Sequence, residues 1–265
     1  MKQIIISLLA ALLPLVAMAQ MQEVNVPLSD MSKRGKLVVD IKMGPVKVTG
    51  TARKDVLVKY KNGENGELGF EKSKNGLKRI SGGFAGIEVS EKNNVVYVGS
   101  KSWTKSIVLE IEIPQEMDLK IGAYNEGDIE VSNVVGDISL KTFSGNISAL
   151  DISGSLVANT YAGDLKATFK SLKPDTPLSF TTYAGDIDLS FPASIKANFK
   201  MHTEMGEVYT GFDMNLSQPE VKTEKNKGGI LQRTFVDEWI TGKVNGGGPE
   251  ITMKNFTGDI YIRKK

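Results

Sequence analysis

The carboxylates that could do chemistry in this 265-residue chain share one position, directly after a glycine. Asp128, Asp164, Asp186 and Glu207 all follow glycine, and Asn146 occupies the same position once. If successive turns stack, these side chains lie roughly 5 Å apart, close to the carboxylate separation in retaining glycosidases. Stacked carboxylates would also suit calcium, but the calcium repeat Gly-Gly-x-Gly-x-Asp does not occur. A repeated turn produces this spacing without catalysis, so we interpret these residues as structural corners and predict no metal site and no cofactor.

The single histidine, His202, is the next candidate for chemistry, since the chain contains no cysteine. Alternation of polar and apolar residues places it on an outward position beside Glu204, which predicts an exposed surface histidine. Without a second histidine or a cysteine, neither a zinc site nor a Ser-His-Asp or Cys-His arrangement can be assembled. We therefore predict that the protein is not an enzyme.

Aromatic residues stand shortly before several of the same glycines. Threonines precede three of these rings, and the alternation turns the threonines inward and the rings outward. An exposed aromatic column could stack on sugar rings or form an interface with a protein. The alternative is a structural ladder that the N-terminal strands cover. The candidate ligand-binding residues are Tyr124, Phe143, Tyr161 and Tyr183.

Both sets of residues belong to one short repeat. Its glycines are nine residues apart from position 127 to position 163, and apolar residues alternate after each of them. Such a segment is typical of a half-buried strand that ends in a tight turn, where Asp or Asn can close the turn onto its own backbone. The structural corners predicted from the repeat are Gly127, Asp128, Gly136, Asp137, Gly145, Asn146, Gly163, Asp164, Gly185, Asp186, Gly206, Gly258 and Asp259.

Two nonapeptides make a coil of eighteen residues, which can return the chain above its starting point. We therefore predict an all-β fold, a flattened two-sheet β-roll or solenoid with parallel strands stacked about 4.8 Å apart. Ala149 and Ala167 should lie in one inward column, and one edge should carry Gly185 followed by Gly206. An antiparallel meander is the competing architecture, because nine-residue units also suit hairpins.

The order of the chain predicts three regions. Residues 1–19 read as a secretory signal peptide that ends in Ala17-Met18-Ala19, and no later segment is apolar enough to span a membrane. Residues 20–117 form an N-terminal β-strand region, and residues 118–265 form the solenoid with a glycine-rich C-terminal cap. The net charge of +2 argues against nucleic acid and against an anionic membrane surface as partners.

Several of these motifs resemble the bacterial putative-adhesin family, an exported domain of unknown function. The resemblance rests on Ile113-Pro114, on the serial Gly-Asp-Ile turns, on Asn245-Gly246-Gly247-Gly248 and on Gly258-Asp259-Ile260-Tyr261-Ile262. It implies a right-handed β-solenoid-like fold and a location outside the cytoplasm, and it brings no catalytic residues with it.

The resulting prediction is an exported, non-enzymatic adhesin-like or scaffold protein, located in the periplasm, outside the cell or on its surface. The solenoid face would bind a glycan or a protein of the envelope or cell surface. One alternative is a carbohydrate-active enzyme, since β-helices often host such activities. Another is a periplasmic component of an envelope-stress system.

Overall fold

The computed structural model describes residues 21–63, 86–172, 178–217, 221–225, 232–236 and 239–265. Within these ranges every regular element is a β-strand, which confirms the predicted all-β class. The strands before the repeat are β1 (Gln22–Pro27), β2 (Gly35–Met43), β3 (Val46–Thr51), β4 (Asp55–Asn62), β5 (Glu88–Lys92), β6 (Val95–Gly99) and β7 (Ile107–Pro114). The predicted signal peptide lies outside the described residues.

The remaining strands begin shortly before the repeat and continue almost to the last residue. They are β8 (Met117–Asn125), β9 (Ile129–Ser132), β10 (Val135–Thr142), β11 (Ile147–Asn159), β12 (Leu165–Ser171), β13 (Leu178–Thr181), β14 (Ile187–Phe191), β15 (Ala197–Met205), β16 (Val208–Thr210), β17 (Asn215–Leu216), β18 (Val221–Lys225), β19 (Gln232–Val236), β20 (Ile240–Val244), β21 (Glu250–Thr257) and β22 (Ile260–Lys264). Among the described strands, β18 and β19 pair only with each other, as an antiparallel hairpin.

The other strands form two faces that enclose one core and are joined through the long strand β11. Face A runs in the order β1, β4, β7, β3, β9, the start of β11, β12, β14, β22 and β16. Face B runs in the order β5, β6, β2, β8, β10, the end of β11, β13, β21, β15, β20 and β17. Pairing is parallel throughout the middle of both faces, which is the predicted solenoid and not the antiparallel meander.

The coils do not stack in chain order. The coil β2–β3 lies between β6–β7 and β8–β9, so strands of the regions 20–117 and 118–265 share both faces. The coil β21–β22 likewise lies between β13–β14 and β15–β16. The predicted succession of Gly185 and Gly206 along one edge is therefore wrong, because Gly258 lies between them. The tripeptide Gly258-Asp259-Ile260 matches the tripeptide that begins at Gly185, so strand β22 can pair in register with β14 on one side and β16 on the other.

The core confirms the predicted inward column. Ala149 pairs with Ala167 in parallel register, and both side chains are buried. Larger residues fill the core beside and beyond Ala167, where the buried rings of Phe169 and Phe191 stack 4.9 Å apart. The two alanines and these rings thus belong to one closely packed interior.

Candidate ligand groove

The corners that carry the candidate residues require glycine because successive coils approach closely. Gly163 has a φ of 149°, and a Cβ atom placed on it would lie 2.1 Å from the backbone oxygen of Gly145. Gly185 repeats this geometry, with 2.2 Å to the oxygen of Gly163. Only a residue without a side chain allows the coils to stack at this edge.

The aspartates that follow the corner glycines hold the next coil in place. The Asp164 Oδ1 atom accepts a hydrogen bond of 2.9 Å from the backbone N–H of Asp186, and Asp186 accepts one of 2.8 Å from Asp259. Asn146 does the same for the N–H of Asp164 at 2.9 Å. Such bonds were predicted to close a single turn, whereas these bonds join neighbouring coils. These hydrogen bonds therefore form a continuous row, called here the clamp, that joins the coils along the solenoid edge. Among the described residues, no group of acidic or histidine side chains could hold a metal ion.

The threonines before the rings point inward, as the alternation predicts. Thr160 donates to the backbone oxygen of Gly145 at 3.1 Å, and Thr182 donates to that of Gly163 at 3.0 Å. Both side chains are buried. Each threonine satisfies a carbonyl at the crowded corner and fixes the direction of the ring that follows it.

The rings themselves form a stacked ladder on the outside of this edge. The centroids of Phe143 and Tyr161 are 5.1 Å apart with planes 2° from parallel, and Tyr161 and Tyr183 repeat this at 4.9 Å and 2°. Phe143, Tyr161 and Tyr183 are 54%, 49% and 45% exposed. The N-terminal coil β2–β3 stacks beyond Tyr124, at the end of the ladder, and leaves these three rings uncovered.

A fourth stacked ring comes from near the C-terminus of the chain. Phe256, on the inserted strand β21, stacks on Tyr183 at 4.8 Å with planes 3° apart. This rung was not predicted, although Phe256-Thr257-Gly258 has the same spacing as Tyr183-Ala184-Gly185. The missing information was the position of strand β21 between β13 and β15.

Tyr124 closes the opposite end of the ladder in a different way. Its ring contacts Trp103 at a centroid distance of 5.8 Å and a tilt of 56°, and the Lys42 ammonium lies 4.4 Å from its centroid. Lys42 also donates a hydrogen bond of 2.8 Å to Asp40, and this bond raises the pKa of Lys42. The ammonium therefore stays protonated against the ring, an arrangement that the sequence pattern did not predict.

A groove of about 620 Å³ runs along the ladder on face B. The rings of Phe143, Tyr161, Tyr183 and Phe256 line one side, and outward residues of the paired strands line the other. Since the strands stack along the solenoid axis, the groove crosses them at a right angle. An open apolar groove of this kind is typical of a binding surface.

The stacking decides which part of each ring a ligand can reach. Tyr161 and Tyr183 each have a parallel ring on both sides at 4.8 to 5.1 Å, so neither of their faces is open. What remains exposed on these two tyrosines is the ring edge. A sugar that stacks on an aromatic face would therefore not fit against the middle of this ladder.

The lone histidine is buried, not exposed as predicted. His202 is 7% exposed, its Nε2 atom lies 3.1 Å from Glu204 Oε1, and its ring lies 5.3 Å from that of Trp239. Trp239 comes from a segment that the local alternation around His202 cannot reveal, which is why the prediction was wrong. Glu204 borders the groove, whereas the imidazole packs behind it.

The chain is similar to one protein family and to two solved structures. Residues 124–234 match the sequence model of the Toastrack DUF4097 family, which covers most of the repeat. The crystal structure of a putative cell adhesion protein from Clostridium sporogenes superimposes with a TM-score of 0.53 at 14% identity, over 93% of this chain and 100% of that one. A putative adhesin from Bacteroides fragilis aligns over 92% and 97% of the two chains at 9% identity, with a TM-score of 0.31.

The family match and the Clostridium structure confirm the predicted resemblance and the solenoid-like fold. No curated protein matches the sequence significantly. Among the described residues there is also no helical segment with the length and apolarity that a membrane span requires.

Proposed function

We propose that this protein is a non-enzymatic, exported adhesin-like protein that binds its partner in the groove along the aromatic ladder. The observation that carries the proposal is the set of half-exposed rings beside an open groove of about 620 Å³. Burying exposed apolar surface is favourable, so such a ladder has an energetic reason to be covered by a partner.

The fold supports this proposal over catalysis. The four aspartates of the corner column, Asp128, Asp164, Asp186 and Asp259, each accept a backbone hydrogen bond from the neighbouring coil, which accounts for their presence without a reaction. The likeness to a putative cell adhesion protein agrees with binding as the activity and with export as the destination. The predicted signal peptide at 1–19 supports the same destination.

The test compares the chain with a Tyr161→Ala, Tyr183→Ala double variant on a glycan array and in a pull-down from envelope proteins. We expect the parent chain to bind a glycan or a protein that the double variant does not bind. The melting temperature of the double variant should change little, because the rings are half-exposed. The control is Tyr209→Ala with Tyr261→Ala, which removes another stacked tyrosine pair, 5.2 Å apart on face A and outside the groove. Equal binding by both double variants would refute the proposed site.

A further inference from the structure

Beside the ladder, face B carries a column of polar side chains that have no partner. Lys141, Asn159, Thr181 and Lys254 are consecutive in this column, because β10, β11, β13 and β21 pair in register. In the described part of the chain, none of the four side chains forms a hydrogen bond or an ion pair. All four line the groove.

Two outward basic residues on face A, by contrast, are paired. Lys47 lies 2.9 Å from Glu130, and Arg263 donates to Asp188 at 2.7 Å. At these two positions the neighbouring strand supplies an acidic partner, which the four described residues of the groove column lack. Glu204 also lines the groove, and its carboxylate lies against His202. Two unpaired ammonium groups, an amide and a hydroxyl beside an apolar ridge therefore make an arrangement that is complementary to an acidic and apolar ligand.

The distance between the two lysines of the column indicates how long a bound ligand segment would be. Lys141 and Lys254 are separated by three strand steps, which is about 14 Å at the spacing of paired strands. Four residues of an extended peptide span about the same distance, at roughly 3.4 Å each. Successive side chains of an extended chain point to opposite sides, so acidic residues at the first and fifth positions can face the lysines while the second and fourth face the rings.

The rings favour a peptide over a sugar at this position. Their faces are covered in the middle of the ladder, and their edges offer apolar contact to aliphatic and aromatic side chains. Asn159 and Thr181, at the centre of the column, can serve the main-chain amides that an extended peptide leaves unpaired. The groove crosses the strands, so recognition would depend on side chains and not on added strand pairing.

We propose that the groove binds an extended segment of a partner protein with acidic residues four positions apart and apolar residues between them. This inference rests on the proposed function and names the class of its ligand. The lysines at the two ends of the column hold the acidic residues, and the edges of Tyr161 and Tyr183 contact the apolar ones.

The test uses fluorescence anisotropy with a labelled peptide that contains Asp-Phe-Ser-Phe-Asp and polar flanks. Two control peptides are Lys-Phe-Ser-Phe-Lys and the composition-matched Asp-Phe-Phe-Ser-Asp. We expect the first peptide to bind about tenfold more tightly than either control. Lys141→Glu with Lys254→Glu should weaken its binding by about tenfold or more, because two attractions become repulsions. Lys166→Glu, the same charge change on face A, should leave it unchanged.

Three results would overturn the inference. They are failure of the first peptide to bind, equal binding of the charge-reversed peptide, and binding that the double lysine variant does not alter. If the first peptide does not bind, but a glycan binds the chain and is lost in the tyrosine double variant, the proposed function stands and this inference falls. If the tyrosine double variant still binds every glycan and protein that the parent chain binds, both the proposed function and this inference are wrong.

Discussion

Replacing Gly163 by alanine tests whether close stacking of the coils determines stability. Two separate costs arise at this residue. Its φ of 149° is unfavourable for a residue with a side chain, which costs about 1–3 kcal/mol. The new Cβ atom would also lie 2.1 Å from the oxygen and 2.6 Å from the carbon of Gly145, so one coil must shift against the next. The two costs together should exceed ~4 kcal/mol, an effect that few single substitutions reach.

Two other glycines separate these costs. Gly246 has a φ of 87°, but nothing lies within 4 Å of a Cβ atom placed on it, so Gly246→Ala should show the backbone cost alone, about 1–2 kcal/mol. Gly86 has no positive φ, and no atom of the described residues lies within 4 Å of a Cβ atom placed on it, so Gly86→Ala should stay within about 0.5 kcal/mol of the parent chain.

The assay is equilibrium unfolding in urea, followed by circular dichroism and by tryptophan fluorescence. Both signals are needed because stacked coils can unfold in segments, in which case a single free energy is not defined. The expected order of stability is the parent chain with Gly86→Ala, then Gly246→Ala, then Gly163→Ala. If Gly163→Ala lost no more stability than Gly246→Ala, the close approach between coils would not constrain the residue at this corner.

Three further substitutions probe the clamp, the core and the terminal coil. Asp164→Asn should be nearly silent in urea unfolding because an amide oxygen still accepts the bond from Asp186, whereas Asp164→Ala should cost about 1 kcal/mol; equal losses would contradict the clamp. Ala167→Phe should overpack a narrow coil and lower stability by about 1–3 kcal/mol, and an unchanged urea midpoint would show that the core has room. The hydrogen bond that Tyr261 donates to Asp259 raises the pKa of the phenol, so its contribution is present below the unfolded pKa near 10 and is lost as the pH rises through the higher folded value. Urea midpoints across alkaline pH should therefore fall in the parent chain and fall less in Tyr261→Phe.

Local sequence was enough to predict the coil and its corners. Alternation with a period of two determines which side chains point inward, so the register of Ala149 with Ala167 and the outward direction of Tyr161 follow from the repeat alone. The need for glycine at the corners follows in the same way, because a tight turn between short strands restricts the backbone locally. The same local pattern therefore predicts Phe143, Tyr161 and Tyr183 together as outward residues of one column.

The order of the coils and the completeness of the groove were decided by the tertiary structure. A phrase such as Gly258-Asp259-Ile260 pairs equally well with any coil that carries the same phrase, so the sequence alone cannot say which coils are neighbours. Placing β21 beside β13 brings Phe256 onto Tyr183 and Lys254 into line with Lys141, although more than a hundred residues separate the two lysines along the chain. The exposure of the rings, the burial of His202 and the unpaired column depend on such distant pairings, because burial is a property of neighbours in space and not of neighbours in sequence.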